Sequence, residues 1–356
     1  MDAQPRFTGA GPVGAVPPGI APLNRECAQS PAVARPGITR TQPDRPSPTR
    51  RAVARWWPRI RLLAGALVLI VLIWRLGAGP FLAGLAAVNV PTVLAALAIG
   101  AVTTVCSAWR WRVVAARLGV GLPLRTAVAA YYGSQFLNST LPGGVLGDVQ
   151  RAVRHGRASG EPGRGMRSVA WERAAGPVVH LALTALLLVL LPMPWGLPSW
   201  WSGLLIVAIA VLAGFALTVR RTRWAALAVA EVRSALLARA AWPQVLAASV
   251  VVALGHALTF VIAARSAGVT ASPGQLFPVA MLVLAAMLLP LNVGGWGPRE
   301  GVAAGLFAAA GWGAAPGVAA ATAFGVLALV ATLPGIVVLL ARPLGRPVAG
   351  EVRPVG

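Results

Sequence analysis

Residues Leu141–Arg151 read LPGGVLGDVQR. A proline, three glycines, an acid and a base stand together in a chain built mostly of Ala, Leu and Val. A second stretch, Leu289–Gly301, reads LPLNVGGWGPREG and has the same ingredients. Both interrupt long apolar sequence. Irregular backbone is not tolerated against lipid, because unpaired N–H and C=O groups are costly in hydrocarbon. It is tolerated where protein shelters it or where it lines a wet cavity. Pro142 and Pro290 break helices, and the glycines permit positive φ and close backbone approach. Two interrupted elements in corresponding positions are the pattern of a transporter's binding site.

The surrounding composition supports a membrane setting. Of 356 residues, 57% are hydrophobic and only 11% charged, with a mean hydropathy of +0.73. An ordinary soluble domain is less apolar. Net charge is +22, and all 31 basic residues are Arg. These lie in tails and between apolar runs, so the charge reads as membrane orientation and no nucleic acid partner is expected. Cys27 and Cys106 lack metal-ligand spacing, and a disulfide between them is not expected. His155, His180 and His256 form no HxxxH-type pair, and no phosphate-loop or dinucleotide glycine motif is present. No metal and no cofactor is expected.

Residues 1–60 are rich in Pro, Arg, Gly, Ser and Thr and are expected to be a disordered tail. Full-length apolar runs cover 62–78, 92–108, 168–191, 202–219, 244–265 and 317–341. Most approach the ~20 residues that a helix needs to cross a bilayer. The first is expected to be a retained span, not a signal peptide. Arginines crowd the tail to residue 61, the segments 109–125, 149–167 and 220–243, and the tail after 342. The stretches 79–91, 192–200, 266–275 and 313–316 hold none. Both tails and the Arg-rich segments are therefore expected to be cytoplasmic. Trp195, Trp200 and Trp201 suit the outer interfacial belt.

Segments 109–125 and 149–167 then lie on one side, with an apolar stretch between them too short to cross and return. Region 126–146 is expected to be a re-entrant hairpin. The same logic makes 276–312 a hairpin entering from the opposite face, with arms of about 16 and 11 residues around NVGGWGPREG. Each half is then span, hairpin, span, in opposite orientation. The expected fold is all-α and polytopic: about six full spans plus two re-entrant helical hairpins in an inverted repeat, over residues 61–342.

Asp148, Glu172 and Glu300 are three of only nine acids, and each has an Arg nearby: Arg151, Arg173 and Arg299. Ionisable groups inside a membrane are expensive and point to function. An Arg beside backbone N–H groups suits an anion, and a carboxylate suits a cationic headgroup or a proton. Bland alternatives stand beside this. Asp148–Arg151 also fits a helix-start pair oriented by the helix dipole. Glu172–Arg173 also fits a structural pair at the end of a span. His180 and His256 read as core histidines bonded to backbone carbonyls. Asn138 and Gln135 fit either freed backbone or a headgroup. WRWR at 109–112 reads as an interfacial anchor.

The pattern QFLNSTLPGGVLGDVQR, then WER at Trp171–Arg173, then LPLNVGGWGPREG resembles the lysylphosphatidylglycerol synthase transmembrane-domain family, also described as flippase-like proteins. The likeness runs from about residue 60 to 342. It implies an inner-membrane protein that moves a lipid across the bilayer. Carried over by match, its motif positions are Pro142, Gly143, Gly144, Gly147, Asp148, Arg151, Glu172, Arg173, Gly294, Gly295, Gly297, Arg299 and Glu300; Asn138 joins them as a substrate-binding candidate. In the best-understood members this domain flips an aminoacylated phosphatidylglycerol made by a fused soluble synthase domain, while many members stand alone. Here residues 343–356 are expected to be only a short cytoplasmic tail, so lipid synthesis is not expected of this chain.

The first reading is thus a lipid flippase or transporter, not an enzyme, whose partners are membrane lipids with an anionic, aminoacylated or glycolipid headgroup. A membrane transferase for lipid-linked substrates is a second; the absence of acids from 79–91 and 192–200 counts against it. A non-transporting partner of a lipid-modifying enzyme is a third.

Overall fold

The computed structural model describes residue 63 and residues 66–141, 144–190, 223–288 and 296–341. The tail 1–60, the expected span 202–219, the tryptophans of 195–201, the tail 343–356 and positions Pro142, Gly143, Gly294 and Gly295 lie outside the described residues.

The described residues build an all-α polytopic membrane fold. Helix α1 (Ala66–Leu76) turns by 100° into α2 (Gly79–Ala86). The turn uses Gly77 at φ 75°, and Pro80 opens α2, where a missing N–H costs nothing. The stretch 79–91, expected as an outer loop, is therefore largely helical. α3 (Val90–Arg117) starts at Asn89, which accepts from Thr92 N–H at 3.1 Å while its own N–H reaches Thr92 Oγ1 at 3.0 Å. That reciprocal cap satisfies two otherwise orphaned donors. α3 continues without a break through WRWR, so 109–117 is helix, not loop.

α4 (Leu124–Thr140) and α5 (Leu146–Ala158) form the first broken pair, followed by α6 (Pro162–Leu190). This redraws the first hairpin. The Gly motif is its tip, and α5, expected as part of a solvent loop, is the returning arm, with Arg151 and His155 buried. α7 (Arg223–Glu231) and a π-helical turn lead to α8 (Trp242–Ser266). α9 (Pro273–Ala285), prolonged by a 3-10 turn to Leu288, and α10 (Pro298–Ala309) form the second broken pair. These are arms of 13 plus 3 and of 12 residues, close to the expectation. α11 (Ala314–Thr332) and α12 (Pro334–Ala341) complete one further span. Among the described residues, four helices are long and apolar enough to cross a bilayer, or five with α1–α2 as one bent span.

The two halves repeat one order of elements. Each runs long helix, broken pair, long helix. α3 and α8 pack antiparallel: Asn89 bonds Ser266, Thr103 lies against Gly255, and Arg110 bonds Ser249. Each broken pair also packs on the closing helix of the other half. His180 of α6 meets the Met281 carbonyl of α9, while Gly335 of α12 lies on Tyr132 and Phe136 of α4.

These contacts are close because small residues face one another, which is how helices associate where no hydrophobic effect operates between them. A Cβ on Gly84 would fall 2.5 Å from the Ala319 carbonyl oxygen, and one on Gly317 would fall 2.5 Å from that of Ala303. Gly317→Ala is expected to cost about 1–3 kcal/mol through forced separation of α10 and α11. Gly305→Ala, on the same α10 but with nothing within 4 Å of the new Cβ, is expected to keep or raise stability. Thermal melting of both variants in one detergent checks the contrast; equal melting would refute the close contact.

Candidate functional site

The first cluster forms where α3, α4, α5 and α6 meet. Glu172 of α6 is fully buried. Its Oε1 accepts from Arg110 Nε at 3.1 Å, Arg110 Nη2 at 2.5 Å and the Tyr131 hydroxyl at 2.9 Å. Its Oε2 accepts from Arg151 Nη2 at 3.1 Å. Asp148 Oδ1 accepts from Ser134 Oγ at 2.9 Å, Arg151 Nη2 at 3.0 Å and Arg173 Nη2 at 2.7 Å, and its Oδ2 from Asn138 Nδ2 at 2.8 Å. Arg151 thus bridges both carboxylates. Its guanidinium lies over the Trp111 and Tyr131 rings, at 4.5 and 4.2 Å from their centroids, where aromatic faces favour a cation. Arg110 also donates to Ser249 Oγ at 3.0 Å, which ties the two halves together.

Asn138 does two jobs. Besides holding Asp148, its Oδ1 accepts the Gly147 N–H at 2.8 Å, one of the free donors at the start of α5. Asp148 sits in the first turn of α5, where the helix dipole favours an anion. Both meanings of the Asp148–Arg151 spacing, helix start and charged site, are therefore realised at once. Gly144, at φ 61°, supplies the left-handed residue that ends the tip.

The second cluster opens α10. Gly297, at φ 108°, turns the chain into the helix. Its N–H donates to Glu300 Oε2 at 2.6 Å. Arg299 Nε donates to Glu300 Oε1 at 3.0 Å, and Nη2 closes the ion pair. Both side chains are buried. Trp296 and Phe324 flank the guanidinium, and Gly325 of α11 lies directly beneath it, where a Cβ would collide with Nη2.

Both clusters reach one cavity of about 620 Å³. Gly144 and Asp148 come to it from the first broken pair, Met287, Leu288, Trp296 and Arg299 from the second. Asn138 and Arg173 also line it. Gly147, Arg151, Glu172, Gly297 and Glu300 stand behind that wall and hold it in place. His180 Nε2 and His256 Nδ1 each face a backbone carbonyl, of Met281 at 3.0 Å and Val252 at 2.9 Å, as expected for core histidines, and both border the cavity.

Two sequence readings are corrected here. Glu172 does not take Arg173, its neighbour in sequence, as its hydrogen-bonded ion-pair partner. Successive helix residues point about 100° apart, so Glu172 turns to Arg110 and Arg151 while Arg173 turns to Asp148. Nor is all of WRWR an interfacial anchor. Trp109 is exposed beside Arg112, but Arg110 and Trp111 are buried. Arg110, Tyr131, Ser134 and Ser249 were therefore missed. A signal existed for Arg110: with Thr103 and Ser107 it continues one polar face of α3 at helical spacing.

Fold and cavity define a multi-pass helical membrane protein with a charged chamber between its two halves. Residues 60–335 match the model of the lysylphosphatidylglycerol synthase TM region, and the chain belongs to that family. It is a membrane protein related to lipid modification or flipping. Searches of curated proteins and of solved structures returned no match.

Proposed function

We propose that this chain is a lipid flippase of the cytoplasmic membrane, with both termini on the cytoplasmic side, and that it carries a phospholipid or related polar lipid without transforming it. The observation that carries this reading is the cavity shared by the two broken pairs. Each half contributes one interrupted element, and each element brings charge to the same chamber. A headgroup crosses through the chamber while its acyl chains stay in lipid. On α3 the lining runs from Ala96 to Arg110, about 21 Å of helix at ~1.5 Å per residue. That covers much of a ~30 Å hydrocarbon core. The placement of the Arg-rich segments supports the orientation.

The test is headgroup movement in liposomes that hold the purified protein and fluorescent phospholipids of several headgroups. The double variant Arg299→Ala with Glu300→Ala removes a cation and its anion together, so it orphans neither charge, and gel filtration checks that it folds. Its transport is expected to be lost. Unchanged transport of every lipid moved by the wild type would show that the second cluster is not part of the path.

A further inference from the structure

We infer that His180 and His256 form a proton site on the cavity wall, and that the chamber exchanges a proton with water as a lipid passes. This rests on the flippase reading for its lipid, but on the two imidazoles and the cavity for its site.

The chain holds three histidines, and two of them line this cavity. They reach it from different halves, His180 on α6 and His256 on α8, and stand close enough for a charge on one to act on the other. Each ring is anchored by one nitrogen. His180 Nε2 lies 3.0 Å from the Met281 carbonyl oxygen, and His256 Nδ1 lies 2.9 Å from that of Val252. A carbonyl oxygen only accepts, so each of these nitrogens carries a hydrogen. In the neutral ring the other nitrogen, His180 Nδ1 or His256 Nε2, then holds a lone pair. Among the described residues nothing donates to either lone pair. Packing uses only the first nitrogen. The second, on the wall of a cavity, is a free base.

The other ionisable groups on this wall are already engaged. Arg110 of α3 is paired with Glu172, Arg173 of α6 with Asp148 of α5, and Arg299 of α10 with Glu300. Tyr131 of α4 gives its hydroxyl to Glu172. Besides His256, α8 carries only Arg265, which bonds the Val269 carbonyl at 3.3 Å. α9, α11 and α12 bring no ionisable side chain. Imidazole is the side chain whose charge ordinarily changes between about pH 5 and 8. The histidine pair is therefore the place where the chamber gains or loses a charge without breaking an ion pair.

The wall also supplies the route. Thr103 and Ser107 of α3 and Ser249 and Thr259 of α8 put hydroxyls on a cavity of about 620 Å³, which is polar and roomy enough for water. In the step itself, the lone pair takes a proton from such a water and one N–H bond forms. The ring becomes a cation while its first N–H stays on its carbonyl, and release to water reverses the change. A headgroup that enters the chamber shifts this equilibrium, and by reciprocity the proton shifts the equilibrium of the headgroup. A pH difference across the bilayer then does work on the lipid.

The full chain with isotope-labelled histidine rings is titrated by NMR in detergent over about pH 5 to 8. Signals are expected that move with pH in the wild type and are missing from the double variant His180→Gln with His256→Asn. Each new amide keeps a donor for the carbonyl of Met281 or Val252 but takes up no proton. His155 stays in both proteins as a reference. Should the double variant misfold, as gel filtration would show, the two single variants serve instead, each losing one moving signal. Movement of the fluorescent phospholipids is then followed in liposomes with the membrane potential clamped, with and without a pH difference. The wild type is expected to enrich the lipid it moves in one leaflet by up to about tenfold per pH unit, the ratio that one coupled proton sustains. Rings of the pair that keep one charge over the whole range would overturn the inference. Lipid that only equilibrates, whatever the gradient, would overturn it and leave the flippase reading intact. Enrichment that survives in the double variant would place the proton elsewhere and overturn the site. A titrating pair with no lipid moved would support the site and sink the flippase reading.

Discussion

Glu172→Ala is expected to cost about 3–5 kcal/mol, the usual penalty for removing one partner of a buried ion pair. The side chain lost is small, so the packing defect is minor. The damage comes from what remains. Arg110 and Arg151 are each at most 5% exposed, and both hold their charge on Glu172. Without it, Arg110 keeps one bond to Ser249, and Arg151 keeps only its share of Asp148 and two aromatic faces. Neither guanidinium can discharge, because its proton is held too tightly. The remaining routes are admission of water or separation of α3, α5 and α6. The double variant Arg110→Met with Glu172→Met removes both charges at similar volume and is expected to lose much less. Equilibrium unfolding in mixed detergent micelles reads both. If the single variant is as stable as wild type, the pair does not carry the charge balance of the first cluster.

The difference between this network and the sequence reading shows what was legible. The order of span, broken pair and span was readable because apolar length and Arg placement are properties of the chain taken one segment at a time. The second broken pair was placed within a few residues for that reason: its arms are apolar and its tip holds the charge. The first pair was misdrawn because α5 is rich in arginine and histidine, and counted by charge alone it resembles a loop. Its helical spacing, with Gly147, Arg151, Ala152 and His155 on one buried face, shows instead an arm that packs on α4 and α6. The ion pairs were the least legible part. Sequence proximity suggested Glu172 with Arg173, but the helix turns neighbours apart, and the real partner lies on α3, 62 residues away. Asp148, Arg151, Arg299 and Glu300 were recognisable because charge is rare in such a chain. Ser249 and Gly325 were not, because a serine or glycine in an apolar helix gains meaning only from what lies opposite it.

Gly147→Ala is expected to abolish lipid movement while costing less stability than Glu172→Ala. Gly147 is the second residue of α5 and packs on the backbone of α4. A Cβ there would overlap the Ser134 carbonyl oxygen and lie 2.8 Å from the Ser134 carbonyl carbon and Cα. These are helix backbone atoms, which cannot rotate aside as a side chain does, so α4 and α5 must part. The direct cost is about 1–3 kcal/mol, as for other overpacked interiors. No buried charge is orphaned, which keeps it below the penalty at Glu172. The functional cost is larger because the contact is shared. The bonds that position the cavity wall cross this same interface: Asn138 to Gly147, and Ser134 and Asn138 to Asp148. Moving α5 outward draws Asp148 away from Arg173 and opens the tip of the first broken pair. Gly274→Ala on α9, with nothing within 4 Å of its new Cβ, is the matched control and should move lipid at the wild-type rate. Melting temperature and liposome transport, measured on both variants, separate the two effects. Stability and transport falling together in Gly147→Ala, with no transport lost beyond the unfolded fraction, would reduce the α4–α5 contact to a packing role. Transport lost from a folded protein would make the spacing of the two helices part of the path itself.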